Sequence, residues 1–151
     1  MERSETVRRL KMAKEILLLP EIPGVDEFDM SWWGSAESLD KDGNGCGTAC
    51  CFGGALGLQP AFRELGFVAE WRKIHAGPYE LDARDPDGAW WTYAEMGAEV
   101  FGIDCDEVNE LFSSVPSDLD SYAPDERGLT KEFVAQRLDV LIERYSMPEA
   151  A

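Results

Sequence analysis

Residues 46–58 read CGTACCFGGALGL, and the conformation of this apolar, glycine-rich run decides the fold. Thr48 belongs to the residue types that cap helix N-termini, so the run behind it predicts a short helix over 49–58. Gly53, Gly54 and Gly57 would each cost that helix about 1 kcal/mol against alanine. Small residues let a second backbone come close. The helix is therefore expected at the centre of the molecule, pressed against another element.

Outward from this run, the punctuation is mostly helical. On the N-terminal side, DKDGNGCG over 40–47 places four glycine or asparagine residues in eight, a turn-rich loop. Residues 20–39 read as a loop with an aromatic cluster, Phe28, Met30, Trp32 and Trp33. Before it, Val7, Leu10, Ala13 and Leu17 recur at helical spacing among Arg8, Arg9, Lys11 and Lys14, predicting a helix over 4–19 that Pro20 ends. On the C-terminal side, Pro60 at a first helical position and Gly66 beyond the end bracket a short helix. Only 67–93 has β character. There, 79–83 and 89–92 flank the turn sequence RDPDG and predict one hairpin.

Two capping boxes follow. Thr92 with Glu95 opens a helix to Phe101 that Gly102 closes, and Asp104 with Glu107 opens one carrying Val108, Leu111 and Phe112. Residues 113–128, with Pro116 and Pro124, read as an exposed loop. Thr130 opens the last helix, with Val134, Leu138, Leu141 and Tyr145 as its apolar stripe until Pro148. The expected fold is thus mainly α (α+β), a single domain over 1–151 with its core at about 4–146. It would hold five or six helices and one small β-hairpin.

The 151 residues suffice for one domain that buries roughly 68–70% of its unfolded surface. Apolar residues make up 44% of the chain, too many for a disordered class, and no apolar run approaches the roughly 18 residues of a membrane span. MERSETVRRLKMAKE is too charged to lead a secretory signal, so a cytoplasmic location is expected.

The net charge is −16, and it is concentrated. Between Ala76 and Glu126 stand 14 carboxylates and one base, Arg84, whereas the other 100 residues hold 16 acids and 13 bases. Such crowding costs stability through self-repulsion and creates a field that steers basic partners. The same sign argues against direct binding to DNA or RNA. The expected partner-binding residues are Asp104, Asp106, Glu107 and Glu110 on the second capped helix and Asp118, Asp120, Asp125 and Glu126 in the loop after it.

The four cysteines, Cys46, Cys50, Cys51 and Cys105, lie in a chain with no sign of secretion, so a disulfide framework is not expected. With His75, the only histidine, they could compose a Cys3His zinc site, although no second closely spaced ligand pair exists. A thiol enzyme is a second possibility. Cys46 and Cys50 would supply the nucleophile near a helix start, where the dipole lowers a thiol pKa, and His75 the base. Free cysteines are more often small buried hydrophobes. Asp40, Asp42 and Asn44, followed by Gly45, match the first half of an EF-hand loop; Cys51 stands where the bidentate Glu belongs, so calcium binding would be weak. The Trp32-Trp33 and Trp90-Trp91 pairs, with Trp71, could line a ligand pocket; core and hairpin packing is the default, with one tryptophan of each pair part-exposed, and an interface anchor is the minority case.

Several strings occur together: Phe28-Asp29-Met30 with a following tryptophan, Cys46-Gly47-Thr48 with Cys50 and Gly53, Phe101-Gly102, Leu111-Phe112, and Thr130 with Val134 and Arg137. Over about 7–145 their order resembles a group of small proteins encoded by bacteriophages, prophages and bacterial genomes. No activity is established for that group. The resemblance implies a cytosolic, phage-type setting and assigns no catalytic residue. The function expected from the residues is that of an acidic, non-enzymatic binding protein without a cofactor. It would occupy the basic, nucleic-acid-binding surface of a protein partner. A thiol-dependent enzyme and a metal-stabilised module are the alternatives.

Overall fold

A computed structural model describes residues 1–30, 33–73, 77–113 and 130–149. In chain order the described elements are α1 (Arg3–Leu17), β1 (Glu27–Phe28), β2 (Ser35–Ala36), β3 (Ser38–Leu39), β4 (Gly45–Cys46) and β5 (Ala49–Cys50). Then come α2 (Phe52–Gly57), α3 (Pro60–Glu64), β6 (Val68–Lys73), β7 (Tyr79–Arg84), β8 (Trp90–Trp91), α4 (Tyr93–Phe101), α5 (Cys105–Phe112) and α6 (Lys131–Ser146).

The fold is α+β, which corrects the expectation of a mainly α domain with one hairpin. A mixed six-stranded sheet runs in the order β1-β5-β2-β7-β6, with β8 also on β7, and β3 and β4 form a separate pair. The predicted hairpin is present as β7–β8, where Ala83 faces Trp91 and Arg84 faces Trp90. It is a small part of the sheet. The longest pairing is β6 with β7, six residues in antiparallel register from Val68↔Arg84 to Lys73↔Tyr79.

The glycine-rich run divides between the two structure types. Its first residues are drawn into the sheet as β5, parallel to β1 and antiparallel to β2. Asp26 and Glu27 donate their N–H groups to Thr48 O, each at 2.9 Å, and Asp29 N donates to Cys50 O at 2.9 Å. The Thr48 N–H donates to Asp26 Oδ2 at 2.7 Å, so Thr48 is held in a strand entry and caps no helix. The helix begins only at Phe52, with Cys51 as N-cap, and all six of its residues are buried. Burial at the centre agrees with the glycine pattern. A Cβ on Gly57 would stand 2.4 Å from Ala69 Cβ, and one on Gly54 1.7 Å from the Trp33 carbonyl oxygen. Helix and sheet meet there at backbone distance.

The other helices follow their sequence signals. Thr92 Oγ1 accepts from Glu95 N at 3.1 Å, and Gly102 closes α4 in the left-handed region at φ 69°. Thr130 Oγ1 accepts from Phe133 N at 3.3 Å at the start of α6. Helices α1 and α6 lie antiparallel: Arg3 Nη2 donates to Arg144 O at 2.6 Å, Lys14 Nζ to Asp139 Oδ1 at 2.7 Å, and Lys131 Nζ to Leu19 O at 3.0 Å. Between the helices and the sheet sits an aromatic core around Phe67, whose ring meets those of Phe62, Tyr93, Phe101 and Phe112 with centroids 6.0–6.3 Å apart. These tilted and edge-on contacts are the arrangements aromatic quadrupoles favour. Among the described residues no helix is long and apolar enough to cross a membrane.

Candidate functional site

The expected acidic face starts at α5, whose capping box is complete. Asp104 Oδ1 accepts from Glu107 N at 2.9 Å, and Glu107 Oε1 accepts from Asp104 N at 3.5 Å. Asp104 and Asp106 are exposed, and Glu110 is half-buried. Glu107 does not belong to that surface. It is buried and turned toward α6, where Arg144 Nη1 donates to its Oε2 at 2.6 Å and the Tyr145 hydroxyl donates to its Oε1. Burial and this carboxylate hold the Tyr145 phenol above its usual pKa. Asp118, Asp120, Asp125 and Glu126 lie outside the described residues.

Helix α4 adds exposed carboxylates that the capping reading overlooked. Glu95 and Glu99 are both exposed and stand four residues apart, on one side of the helix. Gly102 turns the chain from α4 into α5, so these carboxylates and those of Asp104 and Asp106 belong to two successive helices. Neither helix carries a base of its own.

The cysteines do not assemble. Cys46 on β4 and Cys105 at the start of α5 are exposed, whereas Cys50 and Cys51 are buried. Cys51 sits where helix N–H groups favour a thiolate, yet burial outweighs them and pushes its pKa up to about 11. Burial raises the Cys50 thiol as well. Both are neutral thiols at physiological pH, opposite in direction to an activated nucleophile. His75 lies outside the described residues. Among the described residues no three His, Cys, Asp or Glu side chains come together as a metal-holding group.

The Asp40–Asn44 loop is the turn of the β3–β4 hairpin. Asp40 Oδ1 accepts from Asp42 N and Asn44 N, each at 2.9 Å, while Asp40 N donates to Asn44 O at 2.8 Å. Those N–H bonds hold the Asp40 carboxyl below its usual pKa. The aspartate–glycine spacing that resembles a calcium loop is here the spacing of a hairpin turn built around one carboxylate.

The structure also contains a cleft at the first of the two tryptophan pairs. It has a volume of about 350 Å³ and opens between Trp33, Pro78 and strand β7, with Glu80, Leu81 and Asp82 on its wall. Trp33 stacks on Tyr93 with centroids 4.1 Å apart and meets Phe112 edge-on at 5.9 Å. It remains 42% exposed despite these contacts. The available signal was the Trp32-Trp33 pair, which predicted one part-exposed indole but not what would lie beside it. No family model matches the chain, and comparison with curated proteins and with solved structures finds no match.

Proposed function

We propose that this protein is an acidic, non-enzymatic binding protein that occupies the basic, nucleic-acid-binding surface of a protein partner. One observation supports the reading above the others: α4 and α5 present Glu95, Glu99, Asp104 and Asp106 to solvent and carry no base between them. Exposed surfaces usually intersperse both signs. Carboxylates crowded on neighbouring elements repel one another, and that cost is recovered when a cationic surface docks. The burial of Cys50 speaks against one of the two nucleophile candidates of a thiol enzyme, while the other, Cys46, is exposed on β4. The same reading puts the protein in the cytoplasm of a bacterial host, in a phage-type setting, with no cofactor and no direct contact with nucleic acid or membrane.

The test starts from bacterial lysate passed over the immobilised protein and eluted with rising salt. A captured nucleic-acid-binding protein is then titrated with the parent and with a variant carrying Glu95→Gln, Glu99→Gln and Asp106→Asn. The expected result is binding weakened several-fold, with a shallower salt dependence, because exposed charges are screened beyond about 8–10 Å at 0.1–0.15 M. Equal affinity and equal salt slope for parent and variant would refute the proposal.

A further inference from the structure

Strand β7 is covered along one edge by β6, but its other edge is shared by two short strands with an interval between them. Ser35 and Ala36 pair with Glu80 and Tyr79, while Trp91 and Trp90 pair with Ala83 and Arg84. Leu81 and Asp82 are left between. The backbone there is satisfied from within: Leu81 N donates to Gly34 O at 3.0 Å, and the Tyr93 hydroxyl donates to Leu81 O at 2.9 Å. The cleft beside Trp33 opens at this interval, and its volume of about 350 Å³ falls within the range of ligand sites.

Its chemistry is specific. Trp33 and Pro78 give an apolar wall, and Glu80 and Asp82, two residues apart on one strand, point to the same face of the sheet, opposite to the buried Leu81. On the neighbouring strand, Arg72 stands opposite Glu80, and its Nε lies 2.8 Å from Asp82 Oδ2. Arg84, further along β7, is engaged elsewhere: its guanidinium lies 3.2 Å from the centre of the Trp90 ring, and its Nη1 donates to Gly88 O at 2.6 Å. Among the described residues the cleft's lining therefore carries two carboxylates, of which Asp82 is paired with Arg72 and Glu80 stands beside a part-open indole.

We propose that this cleft receives one arginine side chain of the basic protein partner, with its guanidinium at Glu80 and its stem along Trp33. The inference rests on the proposed function, since it assigns to that partner a single anchoring residue. Arginine fits better than lysine because its planar group stacks on aromatic faces and forks onto carboxylates. Charge complementarity and the apolar wall favour the same side chain, whose methylene stem buries while its head stays polar.

A hexa-arginine peptide titrated into isotope-labelled protein, followed by amide chemical shifts, tests the assignment. Saturable shifts are expected at Gly34, Ser35, Leu81 and Asp82, with affinity lowered about two- to fivefold in Glu80→Gln, the size of an exposed ion pair. Hexa-lysine should bind more weakly and move those amides less. Shifts that avoid residues 34–35 and 80–82, unchanged affinity in Glu80→Gln, or equal response to hexa-lysine would overturn the proposal. The triple variant Glu95→Gln, Glu99→Gln, Asp106→Asn separates the two readings. If it binds the peptide like the parent while Glu80→Gln does not, the α4–α5 surface fails and the cleft stands.

Discussion

Gly54→Ala is the sharpest test of how the centre of this molecule is built. On an exposed helix the change would gain about 1 kcal/mol of helix propensity. Here the added Cβ would stand 1.7 Å from the Trp33 carbonyl oxygen, 2.9 Å from the carbonyl carbon and 3.1 Å from Cys50 Cβ. Ordinary contact needs about twice the first distance, and a carbonyl cannot rotate aside as a side chain can. The Trp33 backbone has little room to retreat, since the Trp33 ring is stacked on Tyr93 and the next carbonyl, Gly34 O, is hydrogen-bonded to Leu81 N. Overpacking costs about 1–3 kcal/mol where neighbours yield, and this site belongs at or beyond the top of that range. After the propensity gain, a net loss of about 2 kcal/mol or more remains, which for a chain of this size lowers Tm by about 4–8 °C. Gly53→Ala is the internal comparison, because its Cβ would meet ring atoms, Trp33 Cζ3 at 2.9 Å and Tyr93 Cδ1 at 3.3 Å, which can tilt. Thermal melts followed by circular dichroism should rank Gly54→Ala well below Gly53→Ala. A Gly54→Ala protein that melts at or above the parent would refute the close approach of α2 to the Trp33 backbone.

Three further outcomes follow from the same geometry. Ellman's reagent should titrate two thiols in the native protein, Cys46 and Cys105, and all four after denaturation; rapid reaction of four would contradict the burial of Cys50 and Cys51. Glu107→Ala should cost about 1–3 kcal/mol in urea unfolding, because it strips Arg144 and the Tyr145 hydroxyl of their shared acceptor, and a loss below about 0.5 kcal/mol would show that the α5–α6 link is idle. Hydrogen bonds and charge from Arg8 and Arg9 lower the Glu5 carboxyl to about 2, so its stabilisation is full above the ordinary value of 4.5 and fades as pH falls through about 2. The gap in urea midpoint between parent and Glu5→Gln should accordingly stay constant above about pH 5 and close toward pH 2, whereas a gap independent of pH would rule out this linkage.

Helices α4, α5 and α6 were legible because each signal is local. Thr92, Asp104 and Thr130 meet the N–H groups three residues on, and Gly102 and Gly66 adopt the positive φ that their places beyond helix ends require. The sheet was not legible for the opposite reason. Six of its eight described strands, counting the separate pair, are two residues long, too short for alternation to register, and the partners of β1, β2 and β5 lie far off in sequence. Ala49 and Cys50 look identical to the residues that follow them in any apolar window; only their bonds to residues 26–29 make them a strand. The candidate site divides the same way. Asp106 was readable as an exposed helical acid, but the capping box that explained Glu107 concealed its second task on α6, 37 residues downstream. The Trp33 cleft depends on how β2 and β8 divide one edge of β7, which no local pattern encodes.

The antiparallel contact of α1 with α6 also sets the order in which the chain can fold. Helix α1 is synthesised first among the described elements and packs against the one synthesised last, so its apolar stripe of Leu10, Ala13 and Leu17 waits until α6 has been made. A contact of such long sequence separation bears the full loop-closure entropy before any reward, and it slows folding accordingly. On the ribosome the sheet and α2 can collapse while Leu10 and Leu17 still lack their final cover. Nascent chains stalled before α6 would leave that stripe without its final cover and open to proteases and chaperones.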